Sequence, residues 1–78
     1  MAELTEEMAV DAVNEVLASK RERWTPVDSS TLLERLDLDS LDVAELFATL
    51  EDRSGLDLDP DSANALRTVG DLARLRTV

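Results

Sequence analysis

Histidine, cysteine and tyrosine are absent from this chain of 78 residues, which removes most of the side chains that do covalent and acid–base chemistry near neutral pH. No serine triad and no imidazole base can be assembled, no disulfide can staple the fold, and no thiolate can hold a metal. Carboxylate pairs such as Asp39 and Asp42 remain, but shifting their pKa needs an enclosing pocket that so small a chain rarely builds. The chain is therefore not expected to be an enzyme, and no catalytic residue is assigned. Long apolar runs are also missing: nothing approaches the roughly 20 residues needed to cross a bilayer as a helix. Met1-Ala2-Glu3 leads straight into acidic sequence, without the basic and apolar regions of a secretory leader, so the expected compartment is the cytoplasm.

Positive charge is scarce. Eight basic residues stand against 18 acidic ones, giving a formal net charge of -10. Such a chain is repelled by nucleic acid and by anionic membrane surfaces, and its natural partners are basic protein surfaces. A hydrophobic fraction of 44% with 33% charged residues argues for a folded chain. Its length allows a single domain spanning residues 1–78, built on one small core and expected to be monomeric.

The order of elements is legible from periodicity. Thr5 can cap a first helix that opens with Glu6 and Glu7, and Ala9, Val10, Val13, Val16 and Leu17 fall on one stripe at spacings of three and four. From Lys20 to Leu36 the pattern dissolves into a long loop with Pro26, Asp28, Ser29 and Ser30, anchored by Trp24, Val27, Leu32 and Leu36. A loop of this length has to be packed down or functional. The second helix is predicted from about Ser40 to Arg53, with Gly55 ending it. Leu56-Asp57-Leu58 reads as an extended connector, Pro60-Asp61-Ser62 as the start of a short third helix with Ala63, Ala65 and Leu66, and Thr68 with Asp71 as the cap of a fourth. The expected fold is all-α, a small four-helix bundle of three longer helices and one short one.

Two apolar stripes share the second helix. At about 100° per residue, Val43, Leu46, Phe47 and Leu50 form a core face, while Leu41, Ala44 and Ala48 lie almost opposite. Asp42, Glu45 and Asp52 flank the second stripe on one side and Glu51 on the other. Burying those carboxylates without partners would cost several kcal/mol each, so an exposed stripe with an acidic border is expected. Between Asp37 and Ser62 nine acidic residues face one basic residue, Arg53, which concentrates the negative field around Ser40. That field would speed encounter with basic partners and weaken with salt. A solvated helix face that serves only solubility is the plainer reading of the same charges.

Ser40 at the helix start reads first as a cap worth ~1 kcal/mol, a service Asp39 could equally perform. The order Asp39-Ser40-Leu41-Asp42, after a long loop with Asp28-Ser29-Ser30-Thr31-Leu32 and before Thr68-Val69-Gly70-Asp71-Leu72, resembles the acyl carrier proteins over nearly the whole chain. The resemblance implies that Ser40 carries 4′-phosphopantetheine, delivered from coenzyme A by a phosphopantetheinyl transferase and ending in the thiol that holds a thioester. It implies a docking surface of Asp39, Leu41, Asp42, Ala44, Glu45 and Ala48 for the transferase, an acyl ligase or acyltransferase, a ketosynthase and other basic-surfaced enzymes of fatty acid or polyketide-type biosynthesis. One departure is Asp37, which stands where the family usually has glycine and so bears on partner choice.

Other readings stay open. An aminoacyl or peptidyl carrier would use the same serine, and an acidic helical adaptor without a prosthetic group would use the same surface. Asp57-Leu58-Asp59-Pro60-Asp61 imitates the start of a calcium loop, but Ser62 stands at its glycine and Thr68 at its bidentate glutamate, so no metal site is expected.

Overall fold

The computed structural model describes residues 4–20 and 23–77. Met1–Glu3, on which the absence of a leader was read, and residues 21–22 of the long loop lie outside them.

Thr5 opens the first helix, its Oγ1 accepting the Met8 amide at 3.1 Å. Helix α1 then runs Glu6–Lys20, with Glu6 and Glu7 at its positive end and Lys20 at its negative end. It buries Ala9, Ala12, Val13, Val16 and Leu17. Val10 is only half-buried, and Ala12 completes the stripe in its place.

The stretch after α1 is packed down. Asn14 Oδ1 accepts the Val27 amide at 2.9 Å, and Asp28 Oδ1 gathers the Ser30 amide, the Ser30 hydroxyl and the Thr31 hydroxyl. These bonds hold Asp28 below the usual carboxylate range, the Ser30 hydroxyl contributing most. Val27 and Leu36 are buried, Trp24 is half-buried against the core, and Leu33–Leu36 forms a 3₁₀ turn. Leu32 pairs with Thr68 in an isolated antiparallel bridge that ties the loop to the far end of the chain.

Helix α2 spans Ser40–Ser54 and stops at Gly55, whose left-handed backbone (φ 72°) lets its amide return to the Glu51 carbonyl at 2.8 Å. It packs across α1 through Leu46 and Leu50. Leu50 has no exposed surface, and burying such a side chain contributes on the order of 1.5–3 kcal/mol. Phe47 is half-buried, and Val43, expected in the core, sits at its margin with 36% of its surface exposed.

The second half departs from the expected helices. Among the described residues there are two α-helices, and where the third and fourth helices were expected there are 3₁₀ segments, Pro60–Ala65 and Gly70–Arg74. Tertiary pairing explains why the last does not lengthen. Leu75 turns extended (φ −56°, ψ 138°), Thr77 bridges Leu58, and the Asp59 amide donates to the Arg76 carbonyl at 2.7 Å. Those groups are thereby withdrawn from any helical ladder. The Thr68 and Asp71 capping exchange does form: Asp71 Oδ2 accepts the Thr68 amide at 3.1 Å while Thr68 Oγ1 accepts that of Asp71 at 3.2 Å. Gly70–Arg74 packs on α1, and Gly70 sits so close to the loop that a Cβ there would lie 2.9 Å from the Ser29 carbonyl oxygen. Val69, Leu72 and Leu75 join the core from this end, with Leu58 from the connector.

Candidate functional site: the start of helix α2

Asp39, not Ser40, caps α2. Its backbone is extended (φ −88°, ψ −178°), and its Oδ1 accepts the Asp42 amide at 2.8 Å. In return Asp42 Oδ2 accepts the Asp39 amide at 3.2 Å, which closes a reciprocal capping box. Ser40 is thus the first helical residue. It is exposed, and its hydroxyl has no hydrogen-bond partner among the described residues. The amides of Ser40 and Leu41 are likewise unpaired among the described residues, as expected for the first turn of a helix.

Asp42 departs from the exposure expected of the acidic flank. Only 8% of it is exposed, because its carboxylate turns inward to the capping box and to an ion pair with Lys20. The burial penalty that argued for exposure assumed no partner; Lys20 is the partner. The Lys20 hydrogen bond, followed by the Asp39 amide, holds the Asp42 carboxyl below the usual range despite its desolvation. Lys20 Nζ also donates to the Asp37 carbonyl oxygen at 3.1 Å. Asp37 itself is left-handed (φ 50°, ψ 43°), a conformation natural to glycine and tolerated by aspartate. Nothing local in the sequence links Lys20 to this turn, since the contact spans 22 positions.

The remaining docking candidates lie outward. Leu41 is 79% exposed, and Asp39, Ala44, Glu45 and Ala48 are exposed with it. Glu51 is instead half-buried, its Oε2 accepting the Leu58 amide at 3.0 Å. On the other side of the turn a cleft of about 420 Å³ is lined mainly by apolar groups, among them Leu33, Leu38, Val43, Phe47, Leu66 and Leu72, with Asp37 at its edge. Of the calcium-like aspartates, Asp59 serves the backbone, its Oδ1 accepting the Asp61 amide at 3.0 Å. Among the described residues no group of three or more His, Cys, Asp or Glu is placed to hold a metal ion.

An acidic helix start with one unengaged hydroxyl is the arrangement to compare with known proteins. The family described as phosphopantetheine attachment site matches residues 9–75. The chain belongs to that family. The prosthetic group of a phosphopantetheine attachment site is 4′-phosphopantetheine, bound covalently. The chain is similar to the acyl carrier protein of Chlamydia trachomatis serovar L2, 48% identical over 48 residues, which cover 62% of this chain and 61% of that protein. The acyl carrier protein of Chlamydia muridarum is 43% identical over 47 residues (60% and 61%), and that of Sulfurovum sp. 43% over 44 residues (56% and 59%). The matches thus span about 61% of the length of the first of these relatives. No solved structure gives a significant match.

The start of α2 fits the group this family carries. A phosphodiester needs an accessible hydroxyl, and its negative charge is favoured beside unpaired first-turn amides at the positive end of a helix. Ser40 offers both. No described helix is long and apolar enough to cross a membrane.

Proposed function

We propose that this chain is an acyl carrier protein: a carrier, not an enzyme, that holds acyl intermediates as thioesters on a 4′-phosphopantetheine arm attached to Ser40. The observation that carries this is the division of labour at the start of α2. Asp39 caps the helix and leaves the Ser40 hydroxyl exposed and unbonded, ready to act as a nucleophile. In the loading step the Ser40 oxygen bonds to the β-phosphorus of coenzyme A and the pyrophosphate bond breaks. Adenosine 3′,5′-bisphosphate leaves, and the hydroxyl proton passes to a base on the transferase. When bound, the group supplies the thiol this cysteine-free chain lacks.

Asp39, Leu41, Ala44, Glu45 and Ala48 form the face that the transferase, an acyl ligase or acyltransferase, a ketosynthase and other basic-surfaced enzymes engage. Asp42 supports that face from beneath. The apolar cleft beside Asp37 and Leu38 gives an acyl chain somewhere to shelter, which favours acyl over aminoacyl cargo. The reading of a small bundle of four is supported by the short 3₁₀ segments Pro60–Ala65 and Gly70–Arg74, which lie where its last two helices are expected. The carrier works as a diffusible cytoplasmic monomer in fatty acid or polyketide-type biosynthesis. Intact mass after incubation with coenzyme A, magnesium and a broad-specificity transferase tests the loading step. One phosphopantetheine is expected on the wild type and none on Ser40→Ala, whereas equal loading of the two would refute Ser40 as the site.

A further inference from the structure

The chain has a single lysine, and it is the last residue of α1, at the negative end of that helix. Its Nζ crosses to the turn before α2 and makes two bonds there, to the Asp37 carbonyl oxygen at 3.1 Å and to Asp42 Oδ2. That same Oδ2 accepts the Asp39 amide, and the Asp42 amide returns to Asp39 Oδ1. One ammonium group therefore ties together the left-handed residue three places before Ser40, the cap one place before it and the box partner two places after it. It also places a positive charge on Asp42, one of three carboxylates crowded into six positions with Asp37 and Asp39, whose mutual repulsion would otherwise loosen the turn.

We infer that Lys20 is a positioning residue for the transfer reaction: it braces the Asp37–Asp42 turn so that the Ser40 hydroxyl is held at a fixed place relative to the docking face. This rests on Ser40 being the attachment point. The brace adds no group to the chemistry, and among the described residues Lys20 makes no hydrogen bond or ion pair to Leu41, Ala44, Glu45 or Ala48; of the docking face it reaches only Asp39, and that through the Asp42 carboxylate. Its loss therefore displaces the nucleophile rather than weakening the encounter. A displacement near 1 Å can cost about a hundredfold in rate, and a loosened turn that still visits the correct geometry should cost roughly tenfold.

The test is Lys20→Met, which keeps the apolar stem and removes the charge, beside Lys20→Arg and the control Arg53→Met. The control makes the same change in net charge at the other end of α2, where Arg53 pairs with Glu15. Steady-state transfer from coenzyme A should show Lys20→Met with kcat about tenfold lower and KM within about twofold of wild type. Lys20→Arg should recover most of the rate, and Arg53→Met should match wild type. Amide hydrogen exchange on the apo proteins gives a second reading. Asp42 and Val43, whose amides bond to Asp39, should exchange faster in Lys20→Met, with the Leu50 amide unchanged. A wild-type rate in Lys20→Met, an equal loss in Arg53→Met, or a change in KM alone overturns the brace. Wild-type protein that never accepts the group overturns the attachment site itself, and the brace with it, whereas a failure confined to Lys20→Met leaves the attachment site standing.

Discussion

Replacing Asp39 and Ser40 by alanine, one at a time, should separate folding from function at adjacent positions. Asp39→Ala removes the acceptor of the Asp42 amide and the negative charge at the positive end of α2. Loss of a cap costs ~1 kcal/mol, and loss of a favourable charge in a first turn about 0.3–1 kcal/mol, so the sum is about 1.5 kcal/mol. In a domain of this length 1 kcal/mol corresponds to about 4–8 °C in Tm, which puts the expected fall at roughly 6–12 °C. Ser40→Ala removes a hydroxyl that bonds nothing among the described residues and puts the best helix former at the first helical position. Its stability should lie within about 0.5 kcal/mol of wild type. Urea unfolding followed by far-ultraviolet circular dichroism measures both, as a shift in midpoint at constant slope. A destabilised Ser40→Ala beside an unaffected Asp39→Ala would mean that the serine caps the helix, and the account of a hydroxyl left free would fail.

Two further outcomes follow from the same turn. Folding lowers the Asp42 pKa, so its ionised form is favoured by the native state: that stabilisation is complete above the ordinary value of 3.8 and is lost as pH falls through the lower folded value. The stability gap between wild type and Asp42→Asn should therefore be constant near neutrality and close in acid below about pH 4, and a gap independent of pH would show that the Lys20 bond does not depend on the charge. Glu45→Lys should slow loading by basic partners, with the difference fading as salt is raised and helix content unchanged. Loading kinetics identical to wild type at low salt would refute electrostatic docking on this face.

Most of what positions the site is written locally. Ala9, Val13, Val16 and Leu17 of α1, Leu46 and Leu50 of α2, Gly55 as the stop and the exposed Leu41, Ala44 and Ala48 follow from spacing and appear as expected, whereas Val10 is half-buried and Val43 lies exposed at the margin of the core. Whether Asp39 or Ser40 caps α2 could not be read, because both residue types cap well and only the backbone angles decide. Asp42 was misplaced for a different reason. Helical periodicity puts it on the acidic flank, but its burial depends on an ammonium group 22 positions earlier, and such a pairing leaves no periodic trace. The shortened last helix has a similar origin, since Thr68 and Asp71 signal a helix start correctly while the Leu58 and Thr77 bridge, which ends it, is a tertiary event. Asp37 was visible as a departure from glycine, and its left-handed backbone explains why glycine suits that place.

The account turns on one covalent bond, and fragment-ion mass spectrometry of the Ser40 peptide, from protein isolated from its own host, examines that bond directly. The prediction is phosphopantetheine on the Ser40 oxygen, with acyl thioesters among the species released from the arm. A Ser40 peptide that is always unmodified in folded, functional protein would contradict it.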